Sequence, residues 1–351
     1  MPHTLPQALL HQAQTRGTAI ALRYKRLGIW HERRWSELAD DLGQLAGALQ
    51  QRGFTGDDDL LIISQARPEA LLLALAAQWL GASVTLLDPE RDHRTLLAGL
   101  RPRFVVAQDH EALQQVGEDT VVVYLDGRGL SQPQRSGLIA YAELRAQAPA
   151  PACAAEPSAV AFVFHAGTSV QLTHAQLLAG ARTLIAREQL DRNEEALAAR
   201  VFAASGQARY LLAPWLLAGF CLNFPEALST RDTDRRELGP TLVLGTRESY
   251  GRLEAWARER LPLPGTLSHR LYAWAMRPTT SPVRRWLGHW LVRRPLLDVL
   301  GMSRLRVPLL VGPALDPQSA AFFGALGIHP GSWQEPSSLH IPLDHSLPHT
   351  A

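Results

Sequence analysis

Lysine is almost missing from this chain: of its 35 basic residues only Lys25 is a lysine, leaving 34 arginines. An arginine presents a fixed planar fork, whereas a lysine ammonium is a compact charge suited to one in-line phosphate or carboxylate oxygen. Chemistry that needs such an ammonium has one candidate here, in Arg23-Tyr24-Lys25-Arg26, where a solvated strand end also accounts for it. Cysteine is nearly as scarce. Cys153 and Cys221 are too few and too far apart for a disulfide scaffold, and no Cys-x-x-Cys pair offers a metal or redox site, so both read as reduced packing residues. The opening Met1-Pro2-His3-Thr4-Leu5-Pro6-Gln7 has neither a basic nor an apolar signal region, which predicts a cytoplasmic chain. A net charge of +2 without a basic run gives nucleic-acid binding no support. No Gly-x-Ser-x-Gly elbow, His-Glu-x-x-His helix, Walker loop or Gly-x-Gly-x-x-Gly fingerprint occurs.

What is present is a folding chain, with 46% apolar and 19% charged residues over 351 positions, enough for one large or two ordinary domains. Strand signals at Leu60–Ser64, Val84–Leu87, Phe104–Ala107, Val121–Leu125, Ala159–Phe164 and Thr241–Leu244 alternate with helical stretches. That pattern predicts an α/β fold of helices packed on largely parallel sheets. From Ala70 to Leu87 the chain is uncharged and long enough for a membrane span to be weighed, but Gly81 and Val84-Thr85 favour a buried helix turning into a buried strand. The Ala- and Pro-rich stretch Ala146 to Ser158 reads as a linker. It predicts a first α/β subdomain over 1–150, a second over 151–335 and a tail over 336–351. Arginines and tryptophans crowd Leu261 to Met302, including Trp274, Arg277, Arg284, Arg285, Trp286, Trp290, Arg293 and Arg294. This composition suits either ordinary packing and ion pairing or peripheral contact with an anionic membrane surface. In the tail, His340, Asp344, His345 and His349 could ligate a metal, although Pro342 and Pro348 break any helix that would align them, which favours a loosely docked segment.

Several segments, in order, resemble the N-terminal domain of AMP-forming acyl-CoA synthetases of the long-chain branch of the adenylate-forming ligases. They are Gly28-Ile29-Trp30 with Arg34-Trp35-Ser36-Glu37-Leu38 leading into a helix over Ala39 to Gln51; Gly53, Gly56-Asp57 and Arg67-Pro68-Glu69; and Arg236-Glu237-Leu238-Gly239-Pro240-Thr241. Nearer the end come Leu300-Gly301-Met302-Ser303-Arg304-Leu305-Arg306, Gly312-Pro313-Ala314-Leu315 and Phe322-Phe323-Gly324-Ala325-Leu326-Gly327-Ile328. The resemblance implies a large AMP-binding-like domain of two α/β subdomains, with the family's mobile C-terminal domain absent.

The same resemblance gives Ala161 to His174 its interest. The family places there a Ser/Thr/Gly loop ending in Pro-Lys-Gly that wraps the nucleotide phosphates before a helix. Here an apolar strand runs through Gly167, Thr168 and Ser169 directly towards a helix opening at His174, as though the loop had lost its middle. The expectation is an N–H and two hydroxyls beside a helix N-terminus, able to meet an anion; as a turn with a helix cap the segment needs no ligand. His174 matches a family histidine, although a histidine in the first turn of a helix also serves local structure. The family's Tyr-Gly-x-Thr-Glu is represented only by Trp333, a candidate nucleotide contact, and Glu335, a candidate nucleotide and magnesium ligand. The family histidine beside the acyl pocket has no counterpart in Phe202-Ala203-Ala204-Ser205-Gly206.

The resemblance therefore implies a degenerate AMP-binding protein that binds a carboxylic acid, acyl ligand or protein partner. Two alternatives remain: an active fatty acid–CoA ligase using ATP and magnesium with a lysine-bearing domain supplied in trans, and a scaffold. Sheet edges left bare near the end of the chain predict a homodimer or a stable partner.

Overall fold

The structure is a computed structural model that describes residues 1–130, 137–146, 150–166, 168–199, 203, 205–278 and 280–333. Its strands are β1 (Ile20–Arg26), β2 (Ile29–Arg34), β3 (Asp59–Ile63), β4 (Ser83–Leu87), β5 (Phe104–Ala107), β6 (Val121–Tyr124), β7 (Leu138–Ala140) and β8 (Val160–Ala166). There follow β9 (Thr168–Thr173), β10 (Glu195–Leu197), β11 (Cys221–Phe224), β12 (Leu242–Gly245), β13 (Val307–Val311) and β14 (Gly331–Trp333). Each strand expected from the sequence is present, with ends shifted by a residue or two.

The chain divides into two compact units, Met1–Arg192 with Ala198–Phe224, and Asn193–Leu197 with Pro225–Glu335. In the first, seven strands form a sheet in the order β7-β6-β5-β3-β4-β8-β9. Leu60 of β3 sits opposite Val84 of β4 and Phe104 of β5, in parallel pairings. Such strands are covered on both faces, which explains their continuous Val, Leu and Ile runs. The helix Pro68–Trp79 between β3 and β4 is buried on every side from Ala70 onward, and its Gln78 side chain donates to the Ala161 carbonyl of β8 at 2.8 Å. The apolar run Ala70 to Leu87 is thus a buried helix followed by β4. Among the described residues no helix is long and apolar enough to cross a membrane.

A second strand group in this unit places β1 antiparallel to β2 and parallel to β11. Gly28 supplies the positive φ of 77° that the β1–β2 turn requires. The helix expected from Ala39 already starts at Trp35, where the Glu37 carboxylate accepts from the Arg34 N–H at 2.8 Å. Trp35 stacks on Trp215 with ring centres 4.9 Å apart, and the Trp215 Nε1–H donates to the Ala21 carbonyl at 2.9 Å. The opening motif therefore specifies a turn, a cap and a core contact. Cys221 is buried in β11, Cys153 is half-buried, and neither is in a disulfide.

The boundary expected at 150/151 falls inside the first unit. Trp79 Nε1–H donates to the Pro151 carbonyl at 2.9 Å, and the Ala154 N–H donates to the Trp79 carbonyl at 2.8 Å. The chain then re-enters the same sheet as β8, parallel to β4. The Ala/Pro stretch lacks periodicity because it packs as irregular backbone over a helix end. Low periodicity alone does not distinguish that from a solvated linker.

In the second unit β10, β12, β13 and β14 are parallel, with Ala196 opposite Leu242, Leu242 opposite Val307, and Leu309 opposite Gly331. The core gathers Tyr250, Leu253, Leu300, Phe322, Phe323 and Ile328, with Tyr250 and Phe323 edge to face at 5.1 Å. The buried Arg235 Nε–H donates to the Leu300 carbonyl at 2.8 Å, which fixes the turn at Gly301. Gly301 has φ 65°, and a Cβ there would lie 2.9 Å from the Arg236 nitrogen and 3.0 Å from the Arg235 carbonyl carbon. Neither backbone strain nor contact can relax cheaply, so Gly301→Ala is expected to destabilise the protein by about 2–3 kcal/mol. A urea midpoint lowered at unchanged slope is the check.

Candidate functional site

The turn singled out by its sequence is the end of a hairpin. β8 and β9 pair antiparallel, with Phe164 opposite Val170, His165 opposite Ser169 and Ala166 opposite Thr168. One position, 167, therefore joins the strands. Gly167 itself lies outside the described residues, and only the backbone of Thr168 is described.

The helix His174–Glu188 begins only after β9 has ended. This corrects the expectation of a turn lying against a helix N-terminus: the run from Thr168 to Thr173 separates the two by roughly 17 Å at about 3.3 Å per residue. The helix end is closed by its own residues. Thr173 Oγ1 accepts from the Gln176 N–H at 3.2 Å, and Gln176 Oε1 accepts from the Thr173 N–H at 2.9 Å. The sequence does carry the signal for β9, because buried Val170 and Leu172 flank exposed Gln171 with period two.

Ser169 is buried and its Oγ has no hydrogen-bond partner. A buried hydroxyl without a partner is destabilising, so Ser169→Ala is expected to raise stability by about 1–2 kcal/mol in ligand-free protein. Thermal unfolding reads this directly, and a loss of stability would show that the hydroxyl has a partner.

His174 is 1% exposed, and its Nδ1 accepts from the Leu5 N–H at 3.2 Å. Leu5 opens the helix Leu5–Arg16, whose first amides have no partner within the helix. Burial pushes the His174 pKa down to about 4. The geometry gives His174 a structural role, that of a neutral imidazole satisfying a helix terminus.

Of the other candidates, Trp333 is half-buried in β14 of the second unit, opposite Val311, and its carbonyl accepts from the Gly312 N–H at 3.3 Å. Glu335 and the tail residues His340, Asp344, His345 and His349 lie outside the described residues, as do Phe202 and Ala204. Ser205 and Gly206 are buried in a helical turn. Among the described residues no group of three or more His, Cys, Asp or Glu side chains is arranged to hold a metal. Lys25 sits opposite Trp30 in the β1–β2 hairpin, with Nζ 5.8 Å from the indole centre. The structure thus groups Thr168, Ser169 and His174 in the first unit and leaves Trp333 in the second.

Sequence reasoning missed a polar row at the carboxyl ends of β3 to β6, the edge where α/β sheets hold ligands. The Gln65 N–H donates to Gln108 Oε1 at 2.7 Å, and Gln108 Nε2 donates to Asp109 at 2.8 Å. His93 Nε2 lies 2.7 Å from the Asp88 carbonyl, and Arg128 Nη2 donates to Asp126 at 2.5 Å. The Arg128 hydrogen bond holds the Asp126 carboxyl below its usual range, while burial lowers the pKa of nearby His165. The available signal was a polar residue directly after each apolar run.

The second unit holds a cavity of about 330 Å³ between the helices Arg247–Arg258 and Leu267–Met276 and the helical run Pro282–Val299. Trp256, Leu261, Leu271, Tyr272 and Leu291 make its walls largely apolar. Arg260, also on the wall, stacks over Trp256 with its guanidinium carbon 4.3 Å from the ring centre. Burial raises the Tyr272 phenol pKa. The volume falls in the range of small-molecule sites.

Helices packed on largely parallel strand groups, with a strand–turn element at the edge of one, define the large α/β domain of the adenylate-forming ligases. The chain belongs to the AMP-binding enzyme family, whose profile matches residues 9–330. Its fold is similar to that of a long-chain-fatty-acid CoA ligase from Rhodopseudomonas palustris, with TM-score 0.67 and 14% identity, covering 92% of this chain and 72% of that one. It is also similar to a benzoate CoA ligase from Burkholderia xenovorans, with TM-score 0.68, 18% identity and coverage of 97% and 62%. The adenylation domain of a carboxylic acid reductase from Segniliparus rugosus, in complex with AMP and a co-purified carboxylic acid, matches with TM-score 0.70 and 12% identity over 95% and 60%. In sequence, 88 residues are 36% identical to the fatty acid–[acyl-carrier-protein] ligase MmaC of Mycobacterium marinum, 25% of this chain and 16% of that protein.

Proposed function

We propose that this chain is a degenerate member of the AMP-binding family that lacks complete adenylation chemistry and binds an acyl ligand in the cytoplasm. One observation carries the reading: in the segment corresponding to the phosphate loop, β8 and β9 pair antiparallel right up to Ala166 and Thr168. The backbone on either side belongs to the strand ladder and leaves no extended loop to wrap a triphosphate. The described strand residues flanking position 167 do not fit ATP with magnesium. The apolar cavity with Arg260 on its wall suits a carboxylic acid, with the chain held by Leu271 and Leu291 and the carboxylate by the guanidinium.

Isothermal titration tests this. Fatty acids should give micromolar binding and ATP–Mg²⁺ none, and Arg260→Gln should weaken the acid about tenfold while leaving the matching alcohol unchanged. Micromolar binding of ATP would contradict the reading.

The orphaned Ser169 hydroxyl favours a second reading, an active ligase-type enzyme that receives a lysine-bearing domain in trans. There Gly167, Thr168 and Ser169 would meet phosphate, and Trp333 and Glu335 the nucleotide and its metal. Ser169→Ala would then weaken nucleotide binding. Silence with both ligands would favour a scaffold working as a homodimer or with a protein partner.

A further inference from the structure

From Val283 to Leu291 the helical run Pro282–Val299 turns an apolar stripe outward, whereas Leu297 near its end is buried in the core. Val283, Trp286, Leu287, Trp290 and Leu291 recur at three- and four-residue spacing, and all are exposed, Val283 to 66% and Trp286 to 62%. In a helix packed on a core this spacing marks the buried stripe. Here the inward contacts come from other residues: Gly288 lies against Ala275, and the Arg293 guanidinium donates to the Ala275 carbonyl at 2.8 Å. Within the run, His289–Arg293 winds as a wider π-turn, so Trp290 stays exposed beneath the Arg294 guanidinium, 4.3 Å from its ring centre.

The charge around this stripe is predominantly positive. Between Arg260 and Val299 the sequence holds seven arginines and one acidic residue, Asp298, a net charge of +6, whereas the whole chain carries only +2. The remainder of the chain is therefore net negative, at −4. Arg270, Arg277, Arg285 and Arg294 are all exposed. Leu291 and Val299, which line the apolar cavity, are themselves exposed, so the cavity opens on the same side.

We propose that this face is a docking surface for an anionic lipid bilayer, with the stripe inserted at the headgroup boundary and the arginines set against lipid phosphates. The chemistry selects this occupant. Tryptophan and aliphatic side chains together favour the bilayer interface, and guanidinium groups add attraction to anionic headgroups. The cavity mouth then opens towards the acyl layer, from which an apolar tail can enter without crossing water.

Vesicle co-sedimentation of the full chain tests the proposal. At low salt the protein should pellet with phosphatidylcholine vesicles containing phosphatidylglycerol, bind pure phosphatidylcholine at least about tenfold more weakly, and dissociate as salt rises. Arg285→Gln with Arg294→Gln should weaken binding about twenty-five-fold, near fivefold per charge. Trp286→Ser with Val283→Ser should abolish binding while leaving the melting transition unchanged, since both residues are exposed and neither lines the cavity. Equal binding to both vesicles, no pelleting with either, or full binding by the double-serine variant would overturn the proposal. So would a concentration-dependent dimer that the double-serine variant dissociates, because the face would then belong to a second copy of the chain.

Discussion

Replacing Arg306 by methionine is expected to destabilise the protein by about 3 kcal/mol. Glu194 is 2% exposed, and its carboxylate is held by an ion pair with the Arg306 guanidinium and by the Thr241 hydroxyl, which donates to Oε2 at 2.5 Å. Thr241 in turn accepts the Glu195 N–H at its hydroxyl and the Arg306 and Val307 N–H groups at its carbonyl, each at 2.8 Å. Removing the arginine leaves a buried carboxylate facing no countercharge. Arg306 is itself half-exposed, which places the effect at the lower end of the range for broken buried pairs. Adding Glu194→Gln should recover much of the loss, because the cost lies in the unpaired charge. Denaturant unfolding of the two single variants and the double variant measures this, and a loss below about 1 kcal/mol for Arg306→Met would contradict it.

Acid should weaken the fold through His174, again by about 3 kcal/mol. Its folded pKa of about 4 lies below the value of 6.5 for a free histidine. Between those values the unfolded chain binds a proton that the native chain refuses, so stability falls as pH drops through that window and levels off below it. Two and a half pKa units correspond to about 3 kcal/mol. Asp59 works in the opposite sense, since burial raises its carboxyl despite hydrogen bonds from Ser83 and Thr85. The histidine is isolated by comparison with His174→Gln, whose amide oxygen can still accept the Leu5 N–H. That variant should show a flatter stability profile between pH 4 and 6.5. Identical slopes would mean that His174 is protonated in the fold or does not face Leu5.

Much of the α/β architecture was legible because β3 to β6 are short, continuous Val, Leu and Ile runs, and a parallel sheet covered on both faces demands such runs. The helix at Trp35 was legible for the same kind of reason, since Glu37 caps it from within the motif. The hairpin was not read, because Thr168 and Ser169 look like loop residues until Val170 and Leu172 are seen to alternate with Gln171. The residue-150 boundary misled because proline and alanine mark irregular backbone whether it is solvated or packed under Trp79. Recurring motifs were easier to recognise than to interpret: Thr241, Gly301 and Arg306 hold one turn and one buried carboxylate, and their presence reports the fold. Of the candidate site, the expectation of a helix N-terminus directly beside position 167 did not allow for β9, which lies between that position and the helix.

The proposed loss of carboxylate adenylation rests on the β8–β9 hairpin standing where a phosphate loop would be. Exchange of labelled pyrophosphate into ATP, run with a panel of fatty and aromatic acids, tests it most directly. No acid-dependent exchange above the protein-free rate is expected. Exchange that depends on a carboxylic acid and disappears in Ser169→Ala would contradict it and place a working phosphate site at the hairpin.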